Sequence, residues 1–330
     1  MPETFCYLLG AGASCNVLPV TENFPEKMEK FLSDYDKFRA DIDKQKPSDP
    51  KISIDPLKYE ANFKESMTWL MTEVKNHTSV DTFAKTLYLT NNINGLGRLK
   101  ATLATYLVMA QAMYGADLRY DGFLATILQR GHMGIGPPSI PSHIRIVSWN
   151  YDLQLEKAFY RYSKNEDGNQ RNRILVNAIT FNQHIKRING VAGLSMGQFS
   201  KCTMAALQPF SIDTVLIALD RYSAFKANAG EFFFDIQFAW ERTPEEIKKD
   251  IAPAIEDTTI LIVIGYSFPY FNREVDRIML KCMSKLKKIY IQVLKPEHDE
   301  IKDRLQSILS VLPEVQNVFD EKRFKIPYEL

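Results

Sequence analysis

The chain has 330 residues, 45% of them hydrophobic and 25% charged, with a formal net charge of +1. This is an ordinary globular composition, long enough for one large domain or two modest ones. The near-neutral balance gives no electrostatic case for nucleic acid as a direct ligand. The local basic groups, Arg171 with Arg173 and Lys281, Lys285, Lys287 and Lys288, read as solvated helix faces. Met1-Pro2-Glu3-Thr4 has no basic lead, so no secretory signal is expected. The most apolar run, around 260–264, is too short to span a bilayer, and no membrane contact is expected. Cys6, Cys15, Cys202 and Cys282 form no C-x-x-C pair. That speaks against a zinc ribbon or other metal site and fits a reduced cytoplasm.

The first predicted strand, 5–9, runs into Leu8-Leu9-Gly10-Ala11-Gly12-Ala13-Ser14. Two glycines around a small residue let backbone N–H groups approach a ligand, and a following helix N-terminus would favour a phosphate there. The dinucleotide fingerprint is matched only in part, because Ser14 or Cys15 stands at its third glycine. A long helical region follows. Phe24, Met28, Phe31, Tyr35 and Phe38 give 24–40 helical spacing. A Pro- and Asp-rich link, 46–56, leads to a helix over 59–74. Thr78-Ser79-Val80-Asp81 reads as a capping box opening a helix over 82–89, and 98–114 and 122–129 continue the pattern.

A Gly- and Pro-rich loop, 131–142, feeds a second strand, 144–148. Further strands are predicted at 174–179, 259–264 and 289–294, with a weaker one at 315–319. The run at 259–264 is apolar on both faces, which suits the middle of a parallel sheet covered by helices. Phe232-Phe233-Phe234 with Phe238 and Trp240 reads as core or interface. These elements predict an α/β fold, a Rossmann-like doubly wound parallel sheet with a large helical insertion after its first strand. The whole chain, 1–330, is then one domain. Residues 1–22 and 143–330 form its Rossmann-like core, and 23–142 the mostly helical insertion.

Ligands of open α/β sheets sit beyond the carboxyl ends of the strands. The second strand ends in Ser148-Trp149-Asn150-Tyr151-Asp152, whose polar side chains face the crevice of the glycine turn, or cap the helix that follows. The strand at 259–264 ends in Gly265-Tyr266-Ser267-Phe268-Pro269, then Asn272, Glu274 and Asp276. A small residue with a free hydroxyl suits contact with a ribose or phosphate. The alternative is a plain turn in which Ser267 or Asn272 satisfies orphan N–H groups.

Together these three strand ends resemble the SIR2-like family. Gly10-Ala11-Gly12-Ala13-Ser14 is similar to its phosphate loop, Trp149-Asn150-Tyr151-Asp152 to its T-x-N-Y-D or Q-N-x-D element, and Gly265-Tyr266-Ser267-Phe268 to its late G-[TY]-S segment. The likeness covers residues 8 to about 280. His77-Thr78-Ser79-Val80-Asp81-Thr82-Phe83-Ala84-Lys85 resembles a segment of the bacterial SIR2-like proteins of antiphage defence. The resemblance implies NAD as substrate, cleaved at the nicotinamide–ribose bond through an oxocarbenium-like state. It implies that Asn150 positions the water and Asp152 accepts from the nicotinamide amide. Ser14 and the backbone of Gly10 to Gly12 would bind the pyrophosphate, with Gly265, Ser267 and Asn272 near the adenosine half.

The family's histidine, in an L-H-G or K-x-H-G element, is replaced by Asn189 in Ile188-Asn189-Gly190. Asparagine takes no proton, and loss of a general base costs roughly 10²–10⁴ in rate. His184 or His77 could stand in, and Asn189 could instead hold a ribose hydroxyl. Lack of a Cys₄ ribbon argues against protein deacetylation. The resemblance further implies a homo-oligomer activated by a separate sensor, such as a HerA-type ATPase or a short Argonaute, since the chain has no ATPase loop of its own. A non-catalytic NAD- or ADP-ribose-binding module, or an ADP-ribosyl transferase or cyclase, are the alternatives.

Overall fold

The computed structural model describes residues 3–42, 46–48, 50, 52–130, 138–163, 184–192, 194–195, 198–199, 201–227, 236–293 and 297–330. The expected strand at 174–179, the arginines at 171 and 173, and the phenylalanines at 232–234 lie outside them. Strand β1 (Phe5–Leu9) is followed by α1 (Phe24–Ile42), α2 (Glu60–Val74), α3 (Val80–Leu89), α4 (Ile93–Tyr114) and α5 (Leu118–Ile127). Then come β2 (Ile144–Ser148), α6 (Gln154–Tyr160) and β3 (Ile185–Arg187), and a two-residue antiparallel pair, β4 (Leu194–Ser195) and β5 (Gln198–Phe199). The chain continues through α7 (Lys201–Leu207), α8 (Ile212–Ala227), α9 (Pro244–Ile255), β6 (Ile260–Ile264), α10 (Arg273–Cys282), β7 (Lys288–Gln292), α11 (His298–Ile308) and β8 (Glu314–Val318).

Among the described residues six strands form one parallel sheet in the order β3-β2-β1-β6-β7-β8. Renumbered in sequence within the sheet, this is the 3-2-1-4-5-6 order of the Rossmann architecture, with its switch point between β1 and β6. Successive side chains of a strand point to opposite faces. Phe5, Tyr7 and Leu9 join Ile144, Ile146, Ile260 and Ile262 beneath α5 and α6. Cys6 and Leu8 join Val147, Leu261, Val263 and Ile289 beneath α9, α10 and α11. A separate helical core is built from α1 to α4, through Phe31, Met67, Leu99 and Leu103, together with α7 and α8, through Ala206, Val215 and Leu219. The helical body therefore draws on residues beyond 23–142, while α5 belongs to the sheet. Among the described residues no helix is long and apolar enough to cross a membrane.

The switch point is held by main-chain contact between two strand ends. A Cβ on Gly10 would lie 2.4 Å from the Gly265 carbonyl oxygen and 2.6 Å from Tyr266 Cα. Gly265 has φ +62°, and a Cβ there would lie 2.4 Å from the backbone of Gly12 and Ala13. Only glycine tolerates both demands. Gly10→Ala is thus expected to lower the unfolding free energy by about 3 kcal/mol, the upper range for overpacking a rigid site. Gly122→Ala, in an exposed turn of α5 with open space around it, should raise it by about 0.5–1 kcal/mol. Urea titrations of the two variants check both signs.

Candidate functional site

A cavity of about 600 Å³ opens at the C-terminal ends of β1, β2 and β6. A second lobe of about 230 Å³ adjoins it toward the end of β7 and shares Ala11, Gly265 and Ser267 with it. Volumes of this order suit small-molecule and cofactor sites.

The loop after β1 is the floor. Gly10 N–H donates to the Ile264 carbonyl (2.9 Å), Gly12 N–H to that of Gly265 (3.0 Å) and Ala13 N–H to that of Gly10 (2.9 Å). These three donors are therefore engaged within the protein. A four-residue 3-10 turn (Ala11–Ser14) follows, and the next α-helix starts only at Phe24. The segment after the turn carries Pro19, which lacks a donor and restricts the backbone before it, so the glycine loop does not run directly into an α-helix. Ala11 lines the larger lobe and Gly12 the smaller, whereas Ala13 and Ser14 lie buried beneath. Ser14 Oγ is 3.2 Å from Tyr120 Oη and accepts from Asn150 Nδ2 at 3.5 Å. It steadies Asn150 from below.

Asn150 and Asp152 both line the larger lobe. Their loop is pinned from the helical side: Gln111 Oε1 accepts from Leu153 N–H (2.6 Å), and Gln154 Oε1 from Asp117 N–H (2.7 Å). Asp152 Oδ1 also accepts from Gln154 N–H at 3.0 Å. The N-cap of α6 is Leu153, so Asp152 is not the cap; it accepts one N–H from the first helical residue and still borders the cavity. Burial pushes the Asp152 carboxyl above the ordinary range, opposed by the Gln154 N–H and by Arg187.

Past β6, Ser267 lines both lobes and Asn272 the larger one. Ser267 precedes Phe268, whose φ of 51° is rare for an aromatic residue. Asn272 Nδ2 donates to Tyr266 Oη (3.2 Å), which donates to both oxygens of Asp276 (3.0 and 3.1 Å). The Tyr266 ring stacks on Trp149 at 5.2 Å. Asn272 thus steadies the aromatic pair, which itself lines the larger lobe.

Asn189 also borders the larger lobe, with its amide committed to protein groups. Nδ2 donates to the Trp149 carbonyl (3.0 Å) and to Tyr151 Oη (3.4 Å), and Oδ1 accepts from Ala239 N–H (2.9 Å). His184 does not reach the site. It immediately precedes β3, its carbonyl accepting from Ile146 N–H, and the strand's three residues, at about 3.3 Å each, separate it from the end where Asn189 lies. His77 stacks on Phe83 at 4.8 Å in the helical body. Among the described residues no histidine lines the cavity.

Several site residues were missed by sequence reasoning. The capping box of α3 is Ser79 with Thr82, one residue later than expected: Ser79 Oγ accepts from Thr82 N–H (3.2 Å) and Thr82 Oγ1 from Ser79 N–H (2.9 Å). Asp81 is thereby released from capping, and it lines the larger lobe, where Tyr151 Oη donates to its carboxylate. Three arginines hold the loops. Arg119 Nη2 donates to the carbonyls of Gly12 (3.1 Å) and Ala13 (3.2 Å). Arg187 Nη1 donates to those of Asp152 (3.0 Å) and Asn150 (3.4 Å). Arg304 Nη1 donates to that of Ser267 (2.5 Å). Their distance in sequence from the glycine turn hid them.

A search of known protein families finds no match to this chain, and a search of curated proteins finds none.

The buried Asp276 gives the site a pH signature. Burial raises its carboxyl well above the ordinary value of 3.8. Its protonated form is favoured on folding, so its stabilising contribution is complete below that value and declines as pH rises toward the folded-state pKa. Asp276→Asn has no charge to bury. Its stability relative to wild type is expected to improve as pH rises above 4 and to level off once pH passes the folded-state pKa of Asp276, as measured by urea unfolding at intervals from pH 4 to pH 8.

Proposed function

We propose that this chain cleaves NAD at the nicotinamide–ribose bond and passes the ribosyl group to water. The observation that carries this reading is the meeting of Asn150, Asp152 and Ser267 around one two-lobed cavity at the switch point of a Rossmann-order sheet. A dinucleotide is bound across such a switch point in this architecture. The larger lobe takes the nicotinamide riboside half, and the smaller lobe, bordered by Gln292 and Asp320, takes the adenosine half. Arg304 borders the larger lobe and Arg119 the smaller, each among several carboxylates, and these two guanidinium groups are the cations nearest the place of the pyrophosphate among the described lining residues.

Cleavage builds positive charge on the ribose as nicotinamide departs. Asp152 orients the leaving amide and Asn150 holds the attacking water, while the buried surround keeps other nucleophiles away. The resemblance in sequence extends the reading to an effector of bacterial antiphage defence, homo-oligomeric and triggered by a separate sensor. A second reading, a binding module with little turnover, is favoured by one observation: Asn189 is fully engaged and cannot act as a base.

Incubation of the full chain with NAD over a range of protein concentrations, with chromatography and mass analysis of products, separates the readings. Nicotinamide and linear ADP-ribose are the expected products, and a cyclic or protein-linked product would point to the transferase or cyclase instead. Asn150→Ala is expected to lower the rate on the order of 10²-fold, as for a misplaced reactant. NAD binding without turnover at every concentration, even with candidate partners present, would leave the binding module.

A further inference from the structure

We propose that Asp81 is the proton acceptor of this site, reached through the hydroxyl of Tyr151. The proposal rests on the NAD-cleavage reading and supplies the base that Asn189 cannot be. Among the described residues lining the larger lobe, only Glu22, Asp81 and Asp152 carry carboxylates, and there is no histidine. Glu22 is exposed at the rim. Asp152 is tied to Gln154 N–H. Asp81 faces the lobe from α3, directly across from the β2 loop, and its carboxylate accepts from Tyr151 Oη.

The hydrogen bonds run in one direction. Asn189 Nδ2 donates to Tyr151 Oη, and Tyr151 Oη donates to Asp81. Asn189, at the position of the expected histidine, is thus the head of a chain that ends on a carboxylate. The C1′–N bond breaks and its electron pair leaves on nicotinamide, which departs neutral. The water oxygen forms the new bond to C1′. Its proton passes to Tyr151 Oη while the tyrosine's own proton passes to Asp81, which later releases it to solvent.

The surroundings suit the task. Burial raises the Asp81 carboxyl above its ordinary value, which makes it a stronger base, while the Tyr151 hydrogen bond opposes the rise. The other titratable groups facing the pair are Tyr266, from the loop after β6, and Glu241, which is paired with Lys100 at 2.6 Å. Neither tyrosine ionises near neutrality, since burial lifts both hydroxyls well above their ordinary value.

The test is steady-state NAD hydrolysis by the full chain from pH 5 to pH 9. Asp81→Asn is expected to lower kcat by roughly 10²–10⁴, to leave KM within a few-fold, and to abolish the acidic limb of the pH profile. Tyr151→Phe should lower kcat at least ~10-fold and shift that limb. Wild-type kcat and an unshifted acidic limb in Asp81→Asn would overturn the proposal while leaving the NAD reading intact. If Asp81→Asn does not fold by circular dichroism, Tyr151→Phe decides in the same way, an unchanged profile overturning it. A wild-type protein that binds NAD and never turns it over, with candidate sensor partners present as well as absent, removes the NAD reading, and the role of Asp81 with it.

Discussion

The site depends on one main-chain contact, the close approach of Gly10 and Gly12 to Gly265. Parallel strands β1 and β6 are neighbours in the sheet, and the loops leaving them at the switch point diverge into the crevice. Without side chains at these positions the loops touch, and the cavity floor is backbone. The two lobes fall on either side of that floor, one toward the ends of β2 and β3, the other toward β7. The missing third glycine of the dinucleotide fingerprint has its explanation here. That glycine serves close packing of a following helix on the strand, and a four-residue 3-10 turn follows instead. Ser14 then turns inward to Tyr120 and Asn150, where a glycine would offer nothing.

A loop built around backbone contact needs something to fix its outward carbonyls, and each of the three strand-end loops has an arginine for this. Arg119 takes Gly12 and Ala13, Arg187 takes Asn150 and Asp152, and Arg304 takes Ser267. Two of the three are themselves anchored by a buried carboxylate, Asp117 for Arg119 and Glu156 for Arg187. Charge-assisted hydrogen bonds of this kind are roughly twice as strong as neutral ones. A guanidinium fork reaches two carbonyls at once, which a lysine ammonium does with less geometric control. The loops are consequently preorganised before any ligand arrives.

The strands at 5–9 and 144–148 were legible because apolar, β-branched runs between turn residues have few other uses. The central strand was legible because both its faces are apolar. Strand β3 was not, for a physical reason: it is an edge strand of three residues whose Lys186 and Arg187 are only half-buried, so it carries no alternating pattern. The strand ends bearing Asn150, Asp152 and Ser267 were readable because they adjoin readable strands. Their partners were not. Arg119 lies on α5, Arg304 on α11 and Asp81 on α3, and only tertiary packing brings such separated residues to one loop. The role of Asn189 was hidden for the opposite reason. Its identity was plain, but the groups that engage its amide, Trp149, Tyr151 and Ala239, come from two other segments.

The one-residue shift of the α3 capping box links the helical body to the chemistry. Had Thr78 been the cap, Asp81 would occupy the reciprocal position and its carboxylate would face the backbone at the helix start. With Ser79 as cap, Thr82 takes that duty and Asp81 stands at the second helical position, pointing at Tyr151. There the positive end of the helix dipole favours its ionised form, while burial favours the neutral one. These two influences oppose one another, and burial, the larger, leaves the carboxyl above its ordinary value. The balance also has a geometric condition. Tyr151 belongs to the sheet's loop and Asp81 to the helical body, so their hydrogen bond exists only while α3 is seated against the end of β2.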